Sequence, residues 1–147
     1  MNNDNETEPE ASQPVIYESQ FTVTVADIDG LGHVNNVVYL RWVQDVATAH
    51  WLHSSTPEQQ KKYGWVAIRH EIDYLTAGML GDDLIARTYV GSVTGIKFER
   101  FVEIVRPSDG RTLAKSRSIW APIDMITKRP CRIDPAINQQ FLQPPPG

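Results

Sequence analysis

The chain has 147 residues, 41% hydrophobic and 22% charged, which suits one domain at roughly 100–200 residues each and is too short for two. A lone cysteine, Cys131, excludes an internal disulfide framework and, with four scattered histidines, argues against a structural zinc cluster. The formal net charge of −4 resides in residues 1–14, where Asp4, Glu6, Glu8 and Glu10 stand without Lys or Arg; this leaves 14 of the 18 acidic residues to balance 14 basic ones. The rest of the chain therefore carries no basic excess with which to grip nucleic acid. No window approaches the roughly 20 apolar residues of a membrane span, and the start has neither the basic end nor the apolar run of a signal peptide. A cytoplasmic protein is expected, with residues 1–14 a disordered acidic tail, 15–142 one folded domain, and 143–147 a frayed, Pro-rich end.

In chain order, Phe21-Thr22-Val23-Thr24-Val25 alternates with period two and reads as a half-buried strand. The turn formers of Ala26 to Asn36 follow. Asn36 to Leu52, free of Gly and Pro, reads as a helix capped by Asn35 or Asn36. Its apolar positions cover more than half the circumference, so it should be largely buried. The polar stretch from His53 to Gly64 has room for a short surface helix starting at Pro57. Four strands are predicted next, over Trp65–Leu75, Asp82–Val93, Lys97–Arg106 and Thr112–Ile123, the last two joined by a Pro107–Gly110 hairpin turn. A terminal helix within Ile133–Leu142 has Asp134 as cap and Pro135 at its first position. Strand, buried helix and then a run of antiparallel strands define an α+β domain.

The densest polar cluster is Asp27-Ile28-Asp29-Gly30-Leu31-Gly32-His33-Val34-Asn35-Asn36, between a strand and a helix N-terminus. On residue type alone, its Asx residues could be nothing more than turn and cap formers. The wider stretch Val25 to Trp42, with Asp-x-Asp, a Gly-containing turn, His-Val-Asn-Asn and then Tyr39-Leu40, resembles the signature of the 4-hydroxybenzoyl-CoA thioesterase family. Tyr74-Leu75-Thr76-Ala77 before Gly81-Asp82, and Ser118 to Asp124, resemble that family's later segments.

The resemblance implies a hot-dog fold, one long helix wrapped by a curled antiparallel sheet of about five strands, and a thioester hydrolase acting on acyl-CoA. It makes Asp29 the catalytic carboxylate, as nucleophile or general base. Asn36 would orient water or the acyl carbonyl, and His33 would take part in catalysis or hold the turn. An oxyanion-binding amide is placed near Tyr63, Gly64 or Trp65. Lys97, Arg100, Arg117, Lys128 and Arg129 are candidate contacts for the CoA phosphates. Asp27 reads as a turn brace, Asp45 as a polar helix position, and Trp42 and Trp65 as core, dimer-contact or acyl-tunnel residues. Cys131 has no evident base partner and reads as inert. No cofactor or metal is expected beyond CoA itself, and the partners are the acyl-CoA and a second copy of the chain, as homodimer or homotetramer. An acyl-carrier-protein thioesterase and a non-catalytic acyl-binding module are the alternatives. A hot-dog hydratase fits less well, because it needs Asp and His five residues apart and Asp29 and His33 are four apart.

Overall fold

The structure is a computed structural model in which residues 13–143 are described. The expectations for the acidic stretch and the final prolines lie outside these residues, except at Gln13, Pro14 and Gln143. There β1 (Gln13–Pro14) pairs antiparallel with β7 (Leu142–Gln143).

The main sheet contains β2 (Tyr17–Thr22), β3 (Tyr63–Tyr74), β4 (Asp83–Thr94), β5 (Lys97–Arg106) and β6 (Arg111–Asp124), in the order β2-β4-β5-β6-β3. Every pairing is antiparallel. Around one face packs the long helix α1 (Asn36–Ser54), as the hot-dog arrangement requires. Two short helices, α2 (Pro57–Lys62) and α3 (Pro135–Gln140), start on prolines behind the caps Thr56 and Asp134.

Register breaks curl the sheet over the helix: one between Ala67 and Arg69 on β3, another between Val90 and Val93 on β4. The break on β3 also switches which residues face inward. Trp65 packs against the apolar interior before it, and Ile72 packs there after it, a change of phase that only an extra residue permits.

The first strand lies earlier than Phe21–Val25. It ends at Thr22 because the Asp27 carboxylate takes the Thr24 backbone N–H (2.9 Å) and hydroxyl (3.1 Å), turning Val25–Asp27 into one turn of 3₁₀ helix. Asn35, not Asn36, caps α1, its side chain accepting from Val37 N–H at 2.9 Å. Helix α1 is also less enclosed than its composition suggested. Its inner face, from Val38 to Trp51, is buried, while Arg41, Gln44, Asp45, Thr48 and Leu52 stay exposed on the single chain.

The interior has two apolar clusters, one at each end of α1. Tyr39, Trp42 and Val43 pack with Leu84, Ile104 and Leu113 at the N-terminal end; Trp51, Tyr63, Phe98, Ile137 and Phe141 pack at the other. Each fully buried large aliphatic side chain there contributes roughly 1.5–3 kcal/mol.

Candidate active site

Between the 3₁₀ turn and α1 the chain makes a tight loop. Asp29 N–H donates to the His33 carbonyl (2.9 Å) and Gly32 N–H to the Asp29 carbonyl (3.1 Å), with Gly32 at φ +80°, a conformation glycine adopts without penalty. One Asp29 oxygen accepts from Leu31 N–H at 2.8 Å; among the described residues nothing bonds the other. The half-buried carboxylate faces a cavity of about 380 Å³ whose walls include His33, Asn36, Tyr39, Tyr74 and Thr76. Because this cavity lies at the N-terminus of α1, the helix dipole favours negative charge there.

Gly78 anchors the loop from the opposite side. Its carbonyl accepts from Val34 N–H (2.9 Å), and its own N–H donates to the Tyr39 hydroxyl (2.9 Å). Tyr39 is itself pushed above the ordinary tyrosine value by burial, so it stays a neutral hydroxyl.

Asp27 has a different setting. It is buried, and its carboxylate accepts from Thr24 and from Arg41 Nη2 at 2.8 Å. Burial alone would raise its pKa, but these bonds and the Arg41 charge prevail and hold it below the ordinary carboxylate value. That environment matches a brace for the turn.

The remaining candidate residues lie elsewhere. Tyr63, Gly64 and Trp65 open β3, and the loop after β6 lies against them: Met125 N–H donates to the Lys62 carbonyl at 3.0 Å, and Tyr63 faces Asp124 in the sheet register. Exposed Lys128 and Arg129 belong to this loop, which the Asp124 carboxylate holds by accepting from Ile126 and Thr127 N–H groups. Lys97, also exposed, opens β5. Arg117 pairs with Glu99 at 2.6 Å and is committed to the sheet. Arg100 differs from the other cations. Expected at the surface against phosphate, it is buried, because it occupies an inward position of β5 in step with Phe98, Val102 and Ile104.

Gly64, Trp65 and Arg100 share a second cavity of about 230 Å³ at the C-terminal end of α1. Trp42, in contrast, belongs to the core at the other end. Thus Asp29, His33 and Asn36 form one group, and Tyr63–Trp65, Arg100, Lys128 and Arg129 another. Asn36 and Thr48, on their respective cavities, are twelve residues apart on α1, about 18 Å at 1.5 Å rise per residue.

Two polar clusters escaped the sequence reading. Arg100 Nη1 donates to His50 Nδ1 (3.0 Å) and Thr88 Oγ1 (2.9 Å) inside the protein. Burial first, then the Arg100 and His53 charges, pull His50 down to about 3, so its ring is neutral with the proton on Nε2. On β3, His70 Nδ1 lies 2.7 Å from Ser118 Oγ, and its Nε2 lies 3.3 Å from the Gln44 amide nitrogen. His50 could have been found from its place on the apolar face of α1; nothing in the sequence marks His70. Among the described residues no group of three or more His, Cys, Asp or Glu could hold a metal.

One helix inside a curled five-stranded sheet, with an Asp-x-Asp turn at the helix N-terminus, defines a hot-dog protein. The family model of the thioesterase-like superfamily matches residues 23–141, and the chain belongs to that family, whose class of chemistry is thioester hydrolysis. A search of curated proteins finds no significant match.

Solved structures share the fold. A 1,4-dihydroxy-2-naphthoyl-CoA thioesterase from Synechocystis superimposes with a TM-score of 0.75 at 15% identity, covering 86% of this chain and 96% of its own. The SAV2348 protein from Staphylococcus aureus, solved in complex with CoA, gives a TM-score of 0.76 at 19% identity, covering 88% and 84%. The dynemicin thioesterase gives 0.75 at 16% identity, covering 86% and 95%.

Proposed function

We propose that the protein hydrolyses an acyl-CoA thioester to the free acid and CoA, with Asp29 as nucleophile or general base. The observation that carries this reading is the Asp29 carboxylate itself. It is fixed by the Leu31 N–H through one oxygen, is unengaged through the other among the described residues, and fronts a cavity at a helix N-terminus. As nucleophile it would attack the thioester carbonyl and expel the thiolate, leaving an acyl anhydride for water to open. As base it would take a proton from the attacking water. Either route suits a lone carboxylate, because a thiol of pKa about 8.5 leaves with little protonation. No resident cofactor is required. The exposed Asn36 amide on the cavity wall would orient water or the acyl carbonyl.

The separation of the two site groups supports a second element of the reading. If Tyr63–Trp65 supply the oxyanion amide and Lys97, Lys128 and Arg129 meet the CoA phosphates, they must be brought to Asp29 by another copy of the chain. A homodimer with sites between its subunits does this. Cys131 and the balanced charge are compatible with work in the cytoplasm.

Release of thiol from a panel of acyl-CoAs, followed with a chromogenic thiol reagent, tests the assignment. Asp29→Asn keeps the shape and removes the charge, so kcat falls by about a hundredfold or more while KM changes little. Full activity in folded Asp29→Asn protein removes the assignment and favours an acyl-binding module. Added salt should raise KM for acyl-CoA more than it lowers kcat, and acyl-pantetheine should lose that dependence. Turnover confined to acyl groups carried on a carrier protein would replace CoA with the protein thiol.

A further inference from the structure

The cavity at the C-terminal end of α1 has a composition that the hydrolytic reading leaves unexplained. Its walls are apolar, formed chiefly by Trp51, Trp65, Val90, Phe98, Trp120 and Phe141, yet one full charge lines it, Arg100. That residue is 7% exposed, and its guanidinium spends one nitrogen on two neutral partners, His50 and Thr88. Among the described residues no carboxylate pairs with it. Glu99, its neighbour in sequence, is taken by Arg117 (2.6 Å) and by Ser92. Burial lowers Arg100 to about 10, so it remains a cation at neutral pH.

A buried charge with no counter-ion is strongly unfavourable unless something supplies one. The cavity walls contribute two more donors without acceptors, Trp65 Nε1 and Trp120 Nε1, both buried and unpartnered among the described residues. Apart from the exposed Thr48 hydroxyl, the lining therefore offers unspent donors and no unspent side-chain acceptor. Such a site complements an organic anion with an apolar body. A single guanidinium suits one carboxylate, whereas a phosphate dianion would need several cations. The size agrees: about 230 Å³ exceeds the roughly 150 Å³ of a cavity that accepts benzene.

We propose that this cavity binds a small apolar carboxylate, an aryl or short alkyl acid, with its anionic group against Arg100. The carboxylate comes either from a free acid or, resting on the proposed hydrolytic reading, from the far end of an acyl group whose thioester lies toward Gly64 and Trp65 at the cavity wall. Binding itself does not rest on the hydrolytic role of Asp29, and Asp29→Asn should leave it intact.

Trp51, Trp65 and Trp120 line the cavity, so occupancy is read as a change in intrinsic fluorescence of the full chain. Benzoate, phenylacetate and hexanoate are titrated beside benzamide, phenylacetamide and hexanamide. At least one acid should saturate, with its amide weaker by about tenfold or more, the difference expected for losing a charge-assisted pair. Arg100→Met should abolish the preference for acid over amide. Equal titration of acids and amides, or no saturation by any acid, overturns the proposal, and both results are obtained on the unmodified protein.

The source follows from kcat/KM of Arg100→Met on adipoyl-CoA and hexanoyl-CoA. A selective loss of about tenfold on adipoyl-CoA identifies the distal carboxylate of the acyl group. Unchanged turnover of both, with acid binding lost, identifies the free acid.

Discussion

Two aspartates separated by one residue hold opposite positions toward solvent. Asp27 is enclosed by Thr24 and Arg41, whereas Asp29 keeps one oxygen open to its cavity. Asp27→Asn should therefore lower stability by about 1.5–3 kcal/mol, the range for a hydrogen bond to a charged group, and reduce kcat far less than Asp29→Asn. Denaturant unfolding beside a thiol-release assay checks this; unaltered stability would remove Asp27 as the brace. His50 adds a pH dependence of known sign. Its folded pKa, about 3, lies below the ordinary 6.5, so between these values the unfolded chain binds a proton that the native protein does not. Stability from this group is fully present above pH 6.5 and falls as pH drops toward 3, by at most about 1.4 kcal/mol per unit. Midpoints of unfolding measured from pH 7 to pH 4 should decline less steeply in His50→Gln than in the unmodified protein. At this scale it was the resemblance of the Asp-x-Asp and His-Val-Asn-Asn stretch, not residue type alone, that singled out Asp29 as the candidate carboxylate. The sequence did not reveal the Arg100–His50–Thr88 contact, because those residues stand on three elements and meet only when the sheet closes over α1.

At the scale of elements, the strands β3 to β6 were legible to within two residues, and β5 to the residue, because long alternating runs between Gly and Pro turns permit little else. The same alternation places Arg100 inside with Phe98 and Val102. Reading it as a surface cation let charge outweigh period, and the period prevails because a one-residue slip would expose the whole buried face of β5. The end of β2 was misplaced for a different reason: Val23, Thr24 and Val25 have strand propensity, but a side chain four residues beyond Val23 captures the backbone first. Gly78 illustrates a tie between elements that composition hides. A Cβ there would lie 2.8 Å from Val34 Cγ2 and 3.0 Å from the Tyr39 hydroxyl, both on partners that hold the Asp29 loop. Gly78→Ala should lower stability by about 1–3 kcal/mol through overpacking and reduce kcat as the loop shifts. A denaturant midpoint equal to that of the parent protein, with unchanged slope, would show that the loop does not depend on this contact.

For the whole molecule, the decisive feature is the open edge of the sheet. Among the described residues β3 pairs only with β6, so one side of this twelve-residue strand presents backbone groups with no partner strand there. Val66 and Ile68 are exposed along it, with Tyr74 and Leu75 at its end. An antiparallel pairing of β3 with β3 of a second copy would cover this edge and lay the two α1 helices in opposite directions. The N-terminal end of one helix would then approach the C-terminal end of the other, bringing Asp29 of each chain toward Tyr63–Trp65 of its partner. The protein should accordingly run in solution at no less than twice its 16.6 kDa chain mass, and Val66→Lys with Ile68→Lys should separate the chains and abolish turnover. Mixing tests the shared site directly. In Gly64→Val the new side chain would meet Met125 Sδ, 2.6 Å from a Cβ at that position, and disturb the amide end; Asp29→Asn removes the carboxylate end. Each parent should be nearly inactive, since both of its sites are damaged. A mixed dimer holds one site with both lesions and one with neither, so co-expression should restore activity toward half the normal value per mixed dimer. Recovery requires that each site draw Asp29 and Gly64 from different chains. Mixed dimers that form and remain inactive would mean that both groups act within one subunit.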